Sequence, residues 1–322
     1  MKRLFICIAA LMLTIGCLLP ACSPQIMPAQ SVPPTGVPVE PATAPAFPMT
    51  VTDSLGREVK IDHLPQRIVS LAPSNTEILF ALGLDDKIAG VTDFCDYPER
   101  AKLKPRVAGF LTPDLEKLVM ISPDLVLAES IHEKTVLSSL EKVGLTVIVL
   151  SANTMDEIIS NITLVGQVTG SGAAASRLTQ QLSGRIKAVT SKTAALTAAE
   201  RPRVMNVIWH DPIWTMGGKT YINDLITMAG GDNIFSADFE KSRIVSPESI
   251  VSKNPQVIIV TGMTKSADAT AGSLKQQEWM QATDAIKNNR VYTLSDSNLI
   301  QRPGPRVIDG LEEVARLLGT LK

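Results

Sequence analysis

Three histidines, a few cysteines and two glutamates in matching surroundings are the residues from which this chain could build chemistry. His63, His132 and His210 are scattered, whereas a zinc site needs several His or carboxylate ligands converging. His63 and His132 read as surface residues. His210 directly follows a predicted strand, where α/β folds display ligand contacts, so it is a candidate site residue. An extracytoplasmic metal-dependent enzyme using His210 with nearby carboxylates is one function class to weigh. Gly217-Gly218-Lys219-Thr220 looks like the end of a phosphate loop. The full pattern needs a glycine with four residues between it and the Gly-Lys pair, and Ile213 stands there, so a turn before a helix is the better reading. Neither GxSxG nor HExxH occurs, which removes two common hydrolase signatures.

Glu116 and Glu248 are of interest because their surroundings echo each other. Thr112–Leu127, TPDLEKLVMISPDLVL, reads as helix start, amphipathic helix, proline stop and strand. Thr112 is a candidate N-cap, Pro113 suits the first helical position, and Leu115, Leu118 and Val119 share one face. Ser246–Val260, SPESIVSKNPQVIIV, repeats the grammar with Ser246, Pro247, Ile250, Val251 and Pro255. Each glutamate lies seven residues before its stop proline. On these caps the two starts differ: Glu116 is three residues beyond Pro113, and Glu248 directly follows Pro247. A carboxylate near a helix N-terminus needs no other job than favouring the dipole, so the echo is what singles these two out. Aromatic residues are few, and Phe94, Phe110, Trp209 and Trp214 all fall at or just beyond predicted strand ends, in loops, where they could line a cleft for a large, flat or apolar ligand.

The elements that must position these residues alternate between strand and helix. A hairpin is predicted around Leu55-Gly56, then strands at Arg67–Leu71, Ile88–Val91, Val107–Gly109, Val126–Ala128 and Val147–Leu150. Ser74 and Glu77 read as a capping box for a helix ending at Gly83. Helices follow at Thr154–Val168 and Ala173–Leu196. The second carries Leu178, Leu182, Ile186, Val189 and Leu196 on one face and spans about 36 Å, long enough to connect two halves. The second half starts at Arg201, with a strand at Val204–Trp209, helices at Tyr221–Ala229, Gln276–Ile286 and Val307–Leu318, and a strand at Arg290–Leu294. This alternation defines an α/β fold with mostly parallel sheets. The predicted divisions are a leader at 1–22, a tether at 23–49, an N-terminal α/β lobe at 50–169, a connecting spine helix at 170–198 and a C-terminal α/β lobe at 199–322.

Composition narrows the class. The 322 residues are 45% hydrophobic and 20% charged, with a formal net charge of −1, so no basic excess suggests nucleic acid. Lys2 and Arg3 precede an apolar stretch, Leu4–Leu19, shorter than a membrane span requires. It ends in Leu19-Pro20-Ala21-Cys22, which resembles a bacterial lipobox with Cys22 as the lipidated residue; Thr14-Ile15-Gly16-Cys17 is a poorer alternative. Cys7 and Cys17 then leave with the leader, and Cys95 remains as a half-buried small residue with no disulfide partner. Residues 23–49 hold eight prolines and read as a semi-extended tether.

RIVSLAPSNTEILFALGL, GVTDFCDYPE, LEKLVMISPDLVLA, MAGGDNIF, SPESIVSKNPQVIIVTG and RPGPRVIDGLEEVARLL together resemble the periplasmic-binding proteins for cobalamin and ferric siderophores. The resemblance implies two lobes, each with a mostly parallel sheet flanked by helices, joined by one long rigid helix, the class III arrangement. It implies a non-catalytic solute-binding lipoprotein, with cobalamin as transported ligand rather than cofactor. The implied partners are an ABC permease and its ATPase, at the extracytoplasmic face of the membrane (the periplasm where an outer membrane exists). FCDYPE and SDSNLIQRPGPR resemble the cobalamin branch, which puts cleft contacts at Phe94, Phe110, Trp214, Asp296 and Arg302. Phe94 stands where the best-known relative has tyrosine, and Phe110 where it has tryptophan. A ferric-siderophore or haem binder of the same architecture is the near alternative. The family's permease-docking glutamates fall on Glu116 and Glu248.

Overall fold

The computed structural model describes residues 45–109, 112–262 and 267–321. Cys22, Phe110 and most of the predicted tether lie outside the described residues. The first described element is an antiparallel hairpin, β1 (Met49–Thr52) and β2 (Glu58–Ile61). Asp53 fixes its turn by accepting from the backbone N–H groups of Leu55 at 3.0 Å and Arg57 at 3.1 Å, and ties it to the next sheet through Val149 N at 3.1 Å.

Strands β3 (Ile68–Ser70), β4 (Ile88–Thr92), β5 (Arg106–Ala108), β6 (Leu125–Glu129) and β7 (Val147–Leu150) form a parallel sheet in the order β5-β4-β3-β6-β7. In the second half, β8 (Arg203–Val207), β11 (Asp232–Asn233), β13 (Val257–Val260) and β14 (Val291–Thr293) form a parallel sheet in the order β11-β8-β13-β14. A small antiparallel sheet, β12-β10-β9, is made of β9 (Trp209–His210), β10 (Ile213–Thr215) and β12 (Arg243–Ile244). The helices are α1 (Pro73–Ala81), α2 (Leu115–Ile121), α3 (Ser138–Lys142), α4 (Met155–Val168), α5 (Gly172–Thr193), α6 (Tyr221–Met228), α7 (Pro247–Lys253), α8 (Ala267–Gln276), α9 (Asp284–Lys287), α10 (Asn298–Gln301) and α11 (Val307–Leu318).

Period-2 alternation decides which core each strand side chain joins. On β6, Leu125 and Leu127 face one core while Val126 and Ala128 face another; on β13, Val257 and Ile259 oppose Ile258 and Val260 in the same way. The inner faces of both large sheets reach one continuous core that also contains Ile158, Ile162 and Val165 of α4, Leu182 and Val189 of α5, Leu225 of α6 and Leu311 and Val314 of α11. The helical layer is thus shared by both sheets. Arg185 of α5 binds Asp309 at 2.6 Å and Glu312 at 2.8 Å on α11, adding a polar tie to that layer.

Several local expectations change. The helix at Glu116 starts at Leu115 with Asp114 as N-cap, not at Pro113 with Thr112. Asp114 N is held by Val107 O at 3.1 Å, which keeps this residue extended, and its carboxylate accepts from Lys117 N at 3.0 Å. Gln276–Ile286 is not one helix. Gln277 and Thr283 adopt extended backbone, and the Thr283 hydroxyl donates to Met280 O at 2.7 Å, so α8, a 3₁₀ turn at Glu278–Ala282 and α9 follow in succession. His132 is fully buried rather than on the surface, with its Nδ1 accepting from Glu129 N at 3.1 Å. Cys95 is also fully buried, its Sγ 3.1 Å from Thr76 Oγ1 and 3.2 Å from Thr92 Oγ1. The Ser74–Glu77 capping box does not form: α1 is capped by Ala72 without a side-chain bond, and Glu77 turns elsewhere.

Candidate functional site

Parallel strands present their carboxyl ends together, and α/β proteins bind ligands there. Here the ends of both large sheets border one cleft. Ala72–Ser74 after β3, Phe94 after β4, Glu129 at the end of β6 and Ala152 after β7 line it from the N-terminal half. Tyr221, Asn298, Gln301, Arg302 and Pro303 line it from the C-terminal half, enclosing about 400 Å³. Tyr221 and Gln301 also border an adjoining cavity of about 670 Å³ with Ile208, Trp209, Trp214, Met216 and Ser242.

Trp209 and Trp214 are not in loops. They are directly paired across β9 and β10, so both rings project from one face of this small sheet. Trp209 Nε1 donates to Asp211 O at 2.6 Å, which fixes that indole. Phe94, 58% exposed, lines the first cavity from the N-terminal half. His210 alternates to the other face of β9. It lines a separate cavity of about 420 Å³ with Asp211, Ile213 and Trp279, and its Nδ1 is 3.5 Å from Thr270 Oγ1. His210 thus lines a different cavity from Trp209 and Trp214, while its ring centroid stays 5.8 Å from that of Trp209.

Arg302 and Asp296 belong to an ion network that crosses from one half to the other. Glu77, 2% exposed at its side chain, accepts from Arg306 at 2.8 and 3.0 Å and from Arg302 at 3.3 Å. Arg302 also meets Asp96 at 2.6 Å and Phe94 O at 3.3 Å, and Arg306 meets Asp296 at 2.8 Å. The Arg306 guanidinium lies 3.8 Å from the Tyr97 ring centroid. Burial opposes ionisation of Asp296, but hydrogen bonding and charge from Arg306, with Arg302, hold its carboxyl below the usual range. For Tyr221, burial and then the nearby Glu129 carboxylate push the phenol up. Glu77 and Arg306 were not singled out as site residues in the sequence. Their linear signal is a glutamate three residues after Ser74 and an arginine 229 residues later.

Glu116 and Glu248 occupy matching positions once the caps are known. Each is the second residue of a seven-residue helix, two beyond its N-cap, Asp114 or Ser246. Each helix buries its fourth residue, Leu118 or Ile250, and ends in a left-handed residue, Ser122 or Asn254, before a proline. The starts are therefore equivalent, contrary to the sequence expectation. Both glutamates are exposed, and neither pairs with a cation among the described residues. Gly217-Gly218 is a close approach: a Cβ at Gly218 would stand 2.1 Å from Ser236 O. Thr220 caps α6, as a pre-helix turn requires. Among the described residues no group of three or more His, Cys, Asp or Glu could hold a metal ion, and no helix is long and apolar enough to cross a membrane.

A two-half α/β molecule with a cleft at the carboxyl ends of both sheets is the architecture of a solute-binding protein, and comparison with known proteins agrees. Residues 68–297 match the family described as periplasmic binding protein, and the chain belongs to that family. Its members are substrate-binding transport proteins, not enzymes. The chain is 33% identical over 277 residues to the uncharacterized ABC transporter substrate-binding lipoprotein YvrC of Bacillus subtilis, covering 84% of this chain and 85% of that one. It is similar to the solved periplasmic vitamin B12 binding protein BtuF of Vibrio cholerae, with 27% identity, a TM-score of 0.68 and coverage of 79% and 97%. It is also similar to a possible iron-binding, periplasmic solute-binding protein of Staphylococcus epidermidis, with 29% identity, a TM-score of 0.69 and coverage of 80% and 99%.

Proposed function

We propose that this chain is the solute-binding lipoprotein of an ABC importer, anchored through Cys22 on the extracytoplasmic face of the membrane, and that it carries a corrinoid in its cleft. The observation that carries this reading is the pair of adjoining cavities walled by Trp209, Trp214, Tyr221 and Phe94. Aromatic side chains contributed by both halves suit the broad apolar surface of a corrin ring, and the polar groups that line the same cavities suit its amide side chains. The likeness to the Vibrio protein supports the same ligand class. Asp296 and Arg302 are engaged with protein partners, so their role in this reading is to build the wall beside the ligand. Glu116 and Glu248 dock the loaded protein on the permease, two separated negative points that set orientation and steer encounter. The testing experiment is titration of the mature protein with cobalamin, followed by tryptophan fluorescence. Saturable quenching in the micromolar range or below is expected, and its absence defeats the proposal.

A ferric siderophore or haem is the second reading, favoured by the likeness to the Staphylococcus protein. A side-by-side ligand panel separates the two. Metal analysis of the purified protein addresses the metalloenzyme class: stoichiometric zinc or iron would revive it.

A further inference from the structure

The polar groups that the cleft holds fixed are hydrogen-bond acceptors. Gln301 borders both cavities. Its Nε2 donates to Thr261 O at 2.8 Å and to Gly262 O at 2.7 Å. Two carbonyl partners fix the amide orientation, because only the NH₂ end can satisfy both. Both amide hydrogens are then used, and Oε1 has no protein donor among the described residues. Tyr221, the other side chain shared by the two cavities, donates its hydroxyl hydrogen to Ile300 O at 2.9 Å, leaving oxygen lone pairs. Glu129 faces the same space as a carboxylate; it accepts from Ser130 Oγ at 2.8 Å and Ile131 N at 3.1 Å, and no cation pairs with it among the described residues.

The lining cation points the other way. Arg302 is directed at Glu77, Asp96 and the Phe94 carbonyl, so two protein carboxylates already balance it. Ser74, Ser242 and Asn298 carry both donors and acceptors and adapt to either kind of ligand. The opposing features are helix N-termini at the cleft: α1 begins with Pro73, which has no N–H, and α6 and α10 begin with the lining residues Tyr221 and Asn298, the Thr220 side chain already accepting from Asn223 N of α6.

We infer that Gln301, Tyr221 and Glu129 set the ligand specificity of the cleft, selecting a ligand that presents N–H or O–H donors and bears no net negative charge. An anionic ligand would place its carboxylates against Glu129 and against the oxygens of Gln301 and Tyr221, with no free cation among the described residues lining the two cavities to answer them. This deepens the reading of the cleft as the binding site, and it would hold for a donor-rich ligand other than a corrinoid.

The test measures the affinity of the full mature protein for three probes by tryptophan fluorescence. Cobinamide carries neutral amides, ferrioxamine B carries amides and an ammonium group, and haemin carries two carboxylates. Cobinamide is expected to bind at least about tenfold more tightly than haemin. Gln301→Met should weaken cobinamide by about tenfold without weakening haemin, and Glu129→Gln should narrow the gap between them. Circular dichroism on both variants confirms the fold. If cobinamide fails while ferrioxamine B binds with the same dependence on Gln301 and Glu129, the corrinoid reading falls and this inference stands. Haemin binding more tightly than either donor-rich probe, unchanged affinities in both folded variants, or binding of none of the three overturns it.

Discussion

At the scale of single residues, the side chain that matters most for integrity is Glu77. It is almost completely buried and faces two arginines, each 12% exposed at the side chain. Removing one partner of such a group leaves uncompensated charge in a low dielectric. Glu77→Ala is expected to cost roughly 3 kcal/mol in urea denaturation, and an unchanged midpoint would show that the network contributes little. Asp296 gives the network a pH signature. Its folded carboxyl titrates below the usual value, so the unfolded chain takes up the proton first as pH falls. Its contribution to stability is therefore complete above about pH 4 and lost below it. Thermal melts from pH 6 to pH 3 should fall less steeply in Asp296→Asn than in the parent. Neither role was legible in the sequence. Glu77 sits three residues after Ser74, which is the spacing of a capping box, and only the fold brings it to arginines more than two hundred residues away. The burial of His132 was illegible for a similar reason: one histidine carries no local sign of the strand end that buries it.

Among the elements, those with strong local grammar were legible. Helix α11 runs over Val307–Leu318 as the apolar spacing predicts, with Gly319 in the left-handed conformation that stops it. The α8 region was not legible, because the extended backbone at Gln277 and Thr283 depends on partners elsewhere, including Asn254 Oδ1, which accepts from Asp284 N at 2.8 Å. The echo of α2 and α7 was readable from the stop prolines, but its full symmetry needed the caps. Burial of the fourth residue holds both helices, so Leu118→Ala and Ile250→Ala should each cost about 3 kcal/mol, measured by denaturant unfolding. The exposed second residues carry no such load. The double variant Glu116→Ala with Glu248→Ala should keep its ligand affinity and melting temperature and lose uptake when expressed with its importer. Normal uptake would return both glutamates to the ordinary role of carboxylates near a helix start.

For the whole molecule, the α/β class, the parallel sheets and the long connecting helix were all visible in alternating strand and helix patterns. The shared core was not, because it depends on which faces of distant elements meet. That core joins the inner faces of both sheets through α4, α5, α6 and α11, so wide opening of the cleft would expose buried apolar surface. The ligand is accordingly expected to enter a cleft largely formed beforehand, with small changes in scattering radius on loading. The most direct measurement of the central claim is titration of the mature protein with cobalamin beside haemin and a ferric siderophore, read through Trp209 and Trp214. Stoichiometric cobalamin binding at micromolar concentrations or below, strongly weakened in Trp214→Ala, is the predicted result. No cobalamin binding, with saturation by haemin or the siderophore instead, would contradict it.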